Sequence, residues 1–274
     1  MIVLIDTDLH RYQYGSIMVE HPFLEDQKVP ASSRKVLGLV DESIEEIVKA
    51  TNADSYICVL SGKGNFRNDI AKQQEYKGNR DPSIGRPYHY DNIGNHIIDN
   101  HPHIVVDGYE ADDWMGITQR SDPSNYCIAS RDKDLKTVHG WHYRFACGER
   151  QPAIPIHWMT EEESLRFFFH QMLIGDNTDN IPGCGKKEEV IRKGVPSLRR
   201  KGVGEKTAIK LLGEETDPNK LLEIISEQYE IVFGSDYKDV MLEQARLLYI
   251  GQRPDNLFDW SWICKEQGEV NELL

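Results

Sequence analysis

The chain lacks the features of a membrane protein or of a secreted, disulfide-linked one. No apolar run approaches the ~20 residues that a membrane helix needs, and the mean hydropathy is -0.56. The five cysteines are far apart and never form a CxxC pair, which argues against a disulfide framework and against a cysteine zinc site. The amino terminus shows no basic region or cleavage site of a signal peptide. We expect reduced thiols, no membrane and a cytoplasmic location.

The chain also lacks a positive net charge, and a value of -13 argues at first against a nucleic-acid partner. The charges are unevenly distributed, however. Eight Lys and Arg stand against three acids from Lys186 to Lys206, and five stand against two from Lys63 to Arg80. After Lys206, six stand against fourteen. Two basic segments are therefore available to a phosphate backbone.

The hydrophobic pattern predicts an α/β fold, a mostly parallel central sheet flanked by helices, followed by a helical part. The predicted strands cover 2–6, 55–61, 104–107 and 126–130, with two more near 141–146 and 153–158. The predicted helices cover about 36–50, begin at about 111 and at Thr160, and lie near 206–213, 219–233 and 238–250. We therefore expect an α/β domain over 1–160 and a helical part, with acidic helices near its end, over 161–274.

Acidic clusters follow apolar runs at four places in the chain. They are Asp6 with Asp8, Glu110 with Asp112 and Asp113, Asp132 with Asp134, and Asp176 with Asp179. The first three come at the carboxyl ends of predicted strands, which is the ligand edge of a parallel sheet. Two carboxylates ~4 Å apart repel by about 4 kcal/mol at an effective dielectric near 20, so converging carboxylates need a cation. Oxygen ligands favour Mg²⁺ or Mn²⁺, and two such ions suit phosphodiester hydrolysis.

The acidic and basic segments form an ordered series of motifs. They are LIDTD, FRNDIAKQQEYKGNR, YEADD, SRDKDL, and GDNTDNIPG followed by GVGEKTA. The series resembles the 5′ nuclease superfamily of flap endonucleases and 5′→3′ exonucleases, most of all its short bacteriophage replication enzymes. It runs from residue 2 to about 212 and covers most of the chain. The resemblance implies a PIN-like 5′ nuclease fold, a basic and arch segment over 63–103, and a helix-three-turn-helix module over about 172–213.

The resemblance also implies roles for individual residues. The implied metal ligands are Asp6, Glu110, Asp112, Asp113, Asp132, Asp134, Asp176 and Asp179, with Asp8 as a further candidate. Lys77 and Arg80 would be the catalytic cations at the scissile phosphate, and Gly202, Val203 and Gly204 would form a turn that binds K⁺. Together with the basic segments, the resemblance suggests DNA contacts by Lys63, Arg67, Lys72, Tyr76, Lys186, Lys187, Arg199, Arg200, Lys201, Gly202, Gly204 and Lys206.

The sequence departs from the family pattern in three places. Ser61 and Gly62 stand where relatives carry a further Asp, so one metal ligand is absent or is supplied by another residue. The stretch between Arg80 and Glu110 is short for an arch that threads a single strand. A basic insertion over 184–201 separates the two halves of the last motif. We expect this insertion to enlarge the contact with DNA.

The function implied is a metal-dependent 5′→3′ exonuclease of duplex DNA, extended to flap endonuclease activity and RNA primer removal. The partners would be duplex or flap DNA, an RNA–DNA hybrid and replication proteins, and the enzyme would be a monomer. Two alternatives stay open. A haloacid-dehalogenase-type phosphatase would use Asp6 as its nucleophile, and a non-catalytic protein would bind branched DNA.

Four histidines crowd the segment between the basic motif and the second acidic cluster. They are His89, His96, His101 and His103. Their spacings match no usual zinc pattern, so we expect solvated loop histidines rather than a metal site.

Overall fold

The computed structural model describes residues 1–148, 150–192 and 195–264, and only the backbone of 187–190, 192, 195 and 197–201. The strands are β1 (Ile2–Asp6), β2 (Met18–Glu20), β3 (Lys28–Pro30), β4 (Ser55–Ser61), β5 (His103–Val106), β6 (Tyr126–Ala129), β7 (Gly140–Arg144), β8 (Ile154–Met159), β9 (Gly185–Arg192) and β10 (Val195–Gly202). The helices are α1 (Asp8–Gln13), α2 (Ser33–Thr51), α3 (Arg67–Ile70), α4 (Tyr90–Asn100), α5 (Ala111–Ser121), α6 (Glu161–Ile174), α7 (Glu205–Leu212), α8 (Pro218–Phe233) and α9 (Tyr237–Leu248).

The chain divides into two compact units, the first formed by residues 1–64 and 81–159. Its six-stranded sheet has the order β5-β4-β1-β6-β7-β8. The first five strands run parallel and β8 pairs antiparallel with β7. The chain leaves β1 for β4 on one side and later returns to β6 on the other. The carboxyl end of β1 therefore lies at the point where a parallel sheet forms its ligand crevice.

Helices α2 and α4 cover this sheet with apolar side chains at helical spacing. Val36, Val40, Ile44 and Ile47 of α2 are buried with Ile93 and Ile97 of α4 in one core. The Ser32 hydroxyl caps α2 by accepting from the Lys35 amide, and Asn52 ends the helix in the left-handed region at φ 51°. Because both ends of α2 are satisfied locally, the sequence pattern predicts its extent well.

The second unit comprises 65–80 and the chain from Thr160 onward, and it is mainly helical. Helix α6 begins with the capping box of Thr160 and Glu163 and buries Phe168, Phe169 and Met172. Asp217 caps α8, and Pro218 occupies its first turn. Leu222, Ile225 and Tyr229 of α8 complete a core with Met241 and Leu248 of α9. Strands β9 and β10 pair as an antiparallel hairpin between α6 and α7.

The predicted fold class, a mostly parallel sheet flanked by helices, is confirmed, and each predicted strand and helix has a counterpart. Four elements were not predicted: α1, α3, α4 and the β2–β3 hairpin. The insertion over 184–201, expected only as a basic DNA contact, forms the β9–β10 hairpin. Residues 65–80, assigned by sequence to the first domain, cluster with the second unit. The last ten residues of the predicted helical part lie outside the described chain.

All five cysteines are free, as expected. Burial raises the pKa of Cys58 and of Cys127 to about 12, which makes these thiols unreactive at neutral pH. Over the described part of the chain, the helices are too short or too polar to span a bilayer.

We predict that His142 on β7 contributes to acid sensitivity. Burial lowers the pKa of His142 to about 4 from an ordinary 6.5, and its Nε2 lies 2.7 Å from the Val138 carbonyl oxygen. The unfolded chain therefore takes up a proton that the folded chain refuses, and stability falls as pH drops from about 6.5 towards 4. His142→Gln should reduce that loss by up to about 3 kcal/mol, measured by urea unfolding at pH 7 and pH 4. The same pH dependence in both proteins would contradict the prediction.

Candidate active site

In the first unit, Asp6 places a buried carboxylate at the carboxyl edge of the sheet. It is the last residue of β1 and is 5% exposed. The Ser130 hydroxyl, just beyond β6, donates to Asp6 Oδ2 at 2.6 Å and accepts from the Asp132 amide at 3.0 Å. Asp132 Oδ1 in turn accepts from the Asp134 amide at 2.8 Å. Ser130 thus ties the first acidic motif to the third.

The environment of Asp6 opposes a negative charge. Burial, followed by the charge of Asp8, raises the pKa of Asp6 to about 7, although the Ser130 hydrogen bond acts in the opposite direction. The charge of Asp132 raises the pKa further. A cation placed among these oxygens would relieve both the desolvation and the repulsion. The donor set therefore fits a divalent, oxygen-preferring ion.

Asp8 is held on both of its oxygens by residues of the first unit. Oδ2 accepts from the Ser61 amide at 2.9 Å, and Oδ1 pairs with Arg11 Nη1 at 3.1 Å. The Ser61 hydroxyl accepts from the Ala111 amide at 3.0 Å. Ser61, which with Gly62 occupies the place where the family resemblance implied a further acid, therefore caps the start of α5, whose N-cap residue Glu110 makes no side-chain cap of its own.

The second acidic motif is placed by the start of α5. Glu110 is the N-cap, Asp112 lies in the first turn, and Asp113 is fully buried. Carboxylates in the first turn of a helix are stabilised by the helix dipole. Within the described chain, no three of the predicted carboxylates bring ligand oxygens within 4.8 Å of one another. The motifs thus share one edge of the sheet without forming a closed set of ligands.

Asp107 is an acidic residue at this edge that the motif comparison missed. It directly follows β5, is exposed, and its Oδ1 accepts from the Lys63 amide at 2.6 Å. A Cβ added to Gly62 would lie 2.2 Å from that same oxygen. An acidic side chain at 62 and Asp107 in its present position therefore exclude each other. Gly62, which has no side chain, was the feature of the sequence that could have pointed to Asp107.

In the second unit, Asp176 and Asp179 lie on a tightly closed loop after α6. Asp176 and Ile181 exchange two backbone hydrogen bonds of 2.8 and 2.7 Å. Gly175 and Gly183, both at positive φ, pack together at its base, where a Cβ on Gly183 would lie 2.3 Å from the Gly175 nitrogen. Asp176 is 3% exposed. The GDNTDNIPG motif therefore specifies a rigid loop that holds both carboxylates.

Asp179 receives three donors from the basic motif. The Tyr76 hydroxyl donates to Oδ2 at 2.8 Å, and Lys77 Nζ lies 3.5 Å from the same oxygen. Arg80 Nη2 donates to Oδ1 at 3.0 Å. Lys77 has a positive φ of 57°, and its amide donates to the Asp179 carbonyl at 2.9 Å. The predicted catalytic cations are thus positioned by one of the predicted metal ligands.

Two residues of the basic segment are not available to DNA, contrary to prediction. Arg67 is fully buried and donates from Nε to the Leu247 carbonyl and from Nη2 to the Tyr249 carbonyl, each at 3.0 Å. The Tyr76 ring is only 6% exposed and belongs to the core of the second unit. Lys63 and Lys72, by contrast, are exposed as expected.

The remaining predicted DNA contacts lie on the hairpin and at the start of α7. Lys186 and Lys206 are exposed, as are Gly202 and the α7 N-cap Gly204. The side chains of Lys187, Arg199, Arg200 and Lys201 lie outside the described part of the structure. A Cβ on Gly202 would lie 2.8 Å from the Cys184 carbonyl oxygen, so this turn requires glycine.

The chain is similar in sequence to a known DNA polymerase and in fold to known nucleases. It is 32% identical over 199 residues to DNA polymerase I of Bacillus subtilis (strain 168), a match that covers 67% of this chain. The chain spans about a fifth of the length of that relative, since the match covers 20% of it. No protein-family model matches the chain.

Solved structures of a bacteriophage T5 enzyme have the same fold. A mutant of T5 5′-exonuclease superposes with a TM-score of 0.55 at 13% identity, covering 91% of this chain and 88% of that one. A variant of the bacteriophage T5 D15 flap endonuclease, in a pseudo-enzyme–product complex with DNA and metal ions, gives 0.53 at 15% identity and covers 91% and 89%. The resemblance to the 5′ nuclease superfamily is thereby confirmed at the level of fold.

We predict that Arg67 of the basic segment is needed for stability and that Lys63 is not. Arg67→Met should lower the free energy of unfolding by about 2–4 kcal/mol, because two buried carbonyls lose their donor. The matched control Lys63→Met removes the same charge from an exposed position and should change stability by less than about 0.5 kcal/mol. Urea unfolding of both variants measures the difference. Equal stability of the two variants would contradict the buried role of Arg67.

Proposed function

We propose that this chain, which has the fold of the 5′ nuclease superfamily, is a divalent-metal-dependent 5′→3′ exonuclease of duplex DNA that also cleaves 5′ flaps. The observation that carries the proposal is the buried carboxylate of Asp6 at the switch point of the parallel sheet, beside Asp8 and Asp132. A buried acid surrounded by acids is costly in a purely structural role, and it becomes favourable when a cation is bound.

The proposed ligands of the divalent ions are the predicted carboxylates of each unit. In the first unit they are Asp6, Glu110, Asp112, Asp113, Asp132 and Asp134, and in the second unit they are Asp176 and Asp179. Mg²⁺ or Mn²⁺ suits such oxygen donors. When bound, these ions would activate water and stabilise the leaving oxygen of the phosphodiester.

Lys77 and Arg80 are proposed to stabilise negative charge that develops on the phosphate. Their hydrogen bonds and ion pairs with Asp179 fix both cationic groups before substrate arrives. Such pre-positioned cations cost little reorganisation during the reaction. The strained backbone of Lys77 is consistent with this role, because positive φ in a non-glycine residue is retained only where the surroundings enforce it.

The phosphatase alternative is not favoured. It requires a strand before Gly175, where the chain instead forms helix α6. It also leaves the Asp179 cluster and the turn before α7 without a role. The non-catalytic alternative is weakened by the buried Asp6, and the following assay distinguishes it directly.

We expect the protein to release nucleotides from 5′-labelled duplex and flap DNA in Mg²⁺ and to lose this activity in EDTA. Asp132→Asn should lower the rate by about 10²–10³-fold, the typical loss when a group that stabilises transition-state charge is removed. The control Asp99→Asn, an exposed acid on α4, should keep wild-type activity. Binding without cleavage would support the non-catalytic alternative, and hydrolysis of p-nitrophenyl phosphate alone would support the phosphatase. A 5′-RNA strand on a DNA template tests primer removal in the same format.

We further propose that Asp107 supplies the carboxylate missing at Gly62. Asp107→Asn should raise the Mg²⁺ concentration for half-maximal activity by about tenfold, a loss typical of weakened metal coordination. Gly62→Ala should have a similar effect, because its Cβ would displace the Asp107 carboxylate. Asp99→Asn again serves as the control. Unchanged Mg²⁺ titrations for both variants would exclude this role.

The β9–β10 hairpin is proposed to bind the DNA backbone without reading sequence, on the basis of its excess of Lys and Arg. Replacing Arg199, Arg200 and Lys201 with Gln should weaken duplex affinity and reduce the slope of log affinity against log salt by up to about 3. Replacing Lys28, Arg34 and Lys35 removes equal charge elsewhere and should leave the slope unchanged. An unaltered slope in the hairpin variant would reject the role.

The turn of Gly202, Val203 and Gly204 is proposed to bind K⁺. Titrations of DNA binding in KCl and in NaCl at equal ionic strength test this proposal.

A further inference from the structure

A second group of potential metal ligands lies in the first unit, away from the strand ends that carry the acidic motifs. Asp41 belongs to α2, His96 to the last turns of α4, and His101 caps the carboxyl end of α4 just before β5. Since β5 runs parallel to its neighbours, this position is at the amino-terminal edge of the sheet, whereas Asp6 ends β1 at the opposite edge.

The two imidazole rings converge on one carboxylate oxygen of Asp41. His96 Nε2 lies 2.7 Å and His101 Nε2 2.9 Å from Asp41 Oδ1. His101 follows the helix in an extended conformation, φ -124° and ψ 151°, and its ring meets that of His96 edge to face at 5.7 Å. The end of α4 at Asn100 therefore brings together two histidines whose sequence spacing matches no usual helical metal motif.

The donor atoms match the requirements of a metal ion that prefers imidazole. Among the described residues, this is the one group of three His, Cys, Asp or Glu side chains whose ligand atoms all lie within 4.8 Å. Ligands around a tetrahedral Zn²⁺ lie about 3.4 Å apart, so binding requires shifts of less than about 1 Å. Asp41 is 40% exposed, and His96 and His101 are 17% and 11% exposed, so an ion can enter while the rings remain supported.

The surroundings also supply a partner for the outer nitrogen of each ring. The Tyr56 hydroxyl lies 3.0 Å from His101 Nδ1, where it can accept the proton that a metal-bound imidazole carries on that nitrogen. The Asn100 amide lies 3.2 Å from His96 Nδ1 and can present its oxygen there after rotation. Two nitrogen donors and one oxygen favour Zn²⁺-class ions over Mg²⁺.

We propose that Asp41, His96 and His101 bind a Zn²⁺-class divalent cation that links α2 to the end of α4. The expectation that His96 and His101 are solvated loop histidines is wrong, because His96 lies in α4, His101 ends it, and both side chains are mostly buried. The amino-terminal edge is remote from the ligand edge of a parallel sheet, so the ion stabilises the fold and takes no part in hydrolysis. This inference does not rest on the proposed nuclease function.

The test uses the full chain after EDTA treatment and dialysis, titrated with Co²⁺ as a spectroscopic probe and with Zn²⁺ in thermal unfolding. Wild type should give the visible absorption of Co²⁺ with nitrogen ligands and a Zn²⁺-dependent rise in Tm. Asp41→Asn keeps an oxygen that can accept from both rings but loses the carboxylate, and it should lose both signals. His103→Ala, which removes a neighbouring histidine, and Asp132→Asn, which alters the carboxylate edge, should retain them.

Tyr56→Phe provides a milder variant if Asp41→Asn perturbs the fold, and it should weaken Co²⁺ binding by about tenfold. Undiminished signals in Asp41→Asn and in Tyr56→Phe would overturn the proposal, as would the absence of a Co²⁺ band and a Tm shift in wild type. Because the readouts are spectra and stability, their failure is independent of the nuclease assay.

Discussion

The burial of the Asp6 charge is the constraint on which the first unit depends. The carboxylate ends the central strand of a parallel sheet, where water is largely excluded and Asp8 and Asp132 add repulsion. Hydrogen bonds from the Ser130 hydroxyl and the Leu9 backbone offset only part of this cost. A divalent cation bound here would offset the desolvation and repulsion of the Asp6 carboxylate. The surrounding acidic motifs supply oxygen atoms that could serve as its ligands.

The second unit meets the same electrostatic problem with its own side chains. Asp179 is surrounded by a hydroxyl, an ammonium and a guanidinium from a segment about 100 residues earlier in the chain. These contacts hold Lys77 and Arg80 in fixed positions and hold the loop that carries Asp176. The same anion thus organises cations that the proposed reaction needs, and this explains why the basic motif packs with the second unit rather than lying in solvent.

Much of the fold was predictable because it depends on local chemistry. The capped, amphipathic helices α2, α6 and α8 and the β-branched strands follow from side-chain periodicity and capping residues. Helix α4 was missed because Gly94 and three asparagines are poor helix formers, and its stability comes from burying Ile93 and Ile97. The hairpin over 184–201 was missed because its charged strands lack the alternation of a half-buried sheet.

The candidate site divides in the same way. The sequence alone determined which carboxylates stand at strand ends and which segments are basic, because the order of residues along a strand decides which end each one occupies. Tertiary structure decided which charges are solvated. It buried Arg67 against two carbonyls, placed Asp107 against Gly62, and joined Asp41 to His96 and His101. These outcomes depend on contacts between residues distant in the chain, whose separation no local pattern encodes.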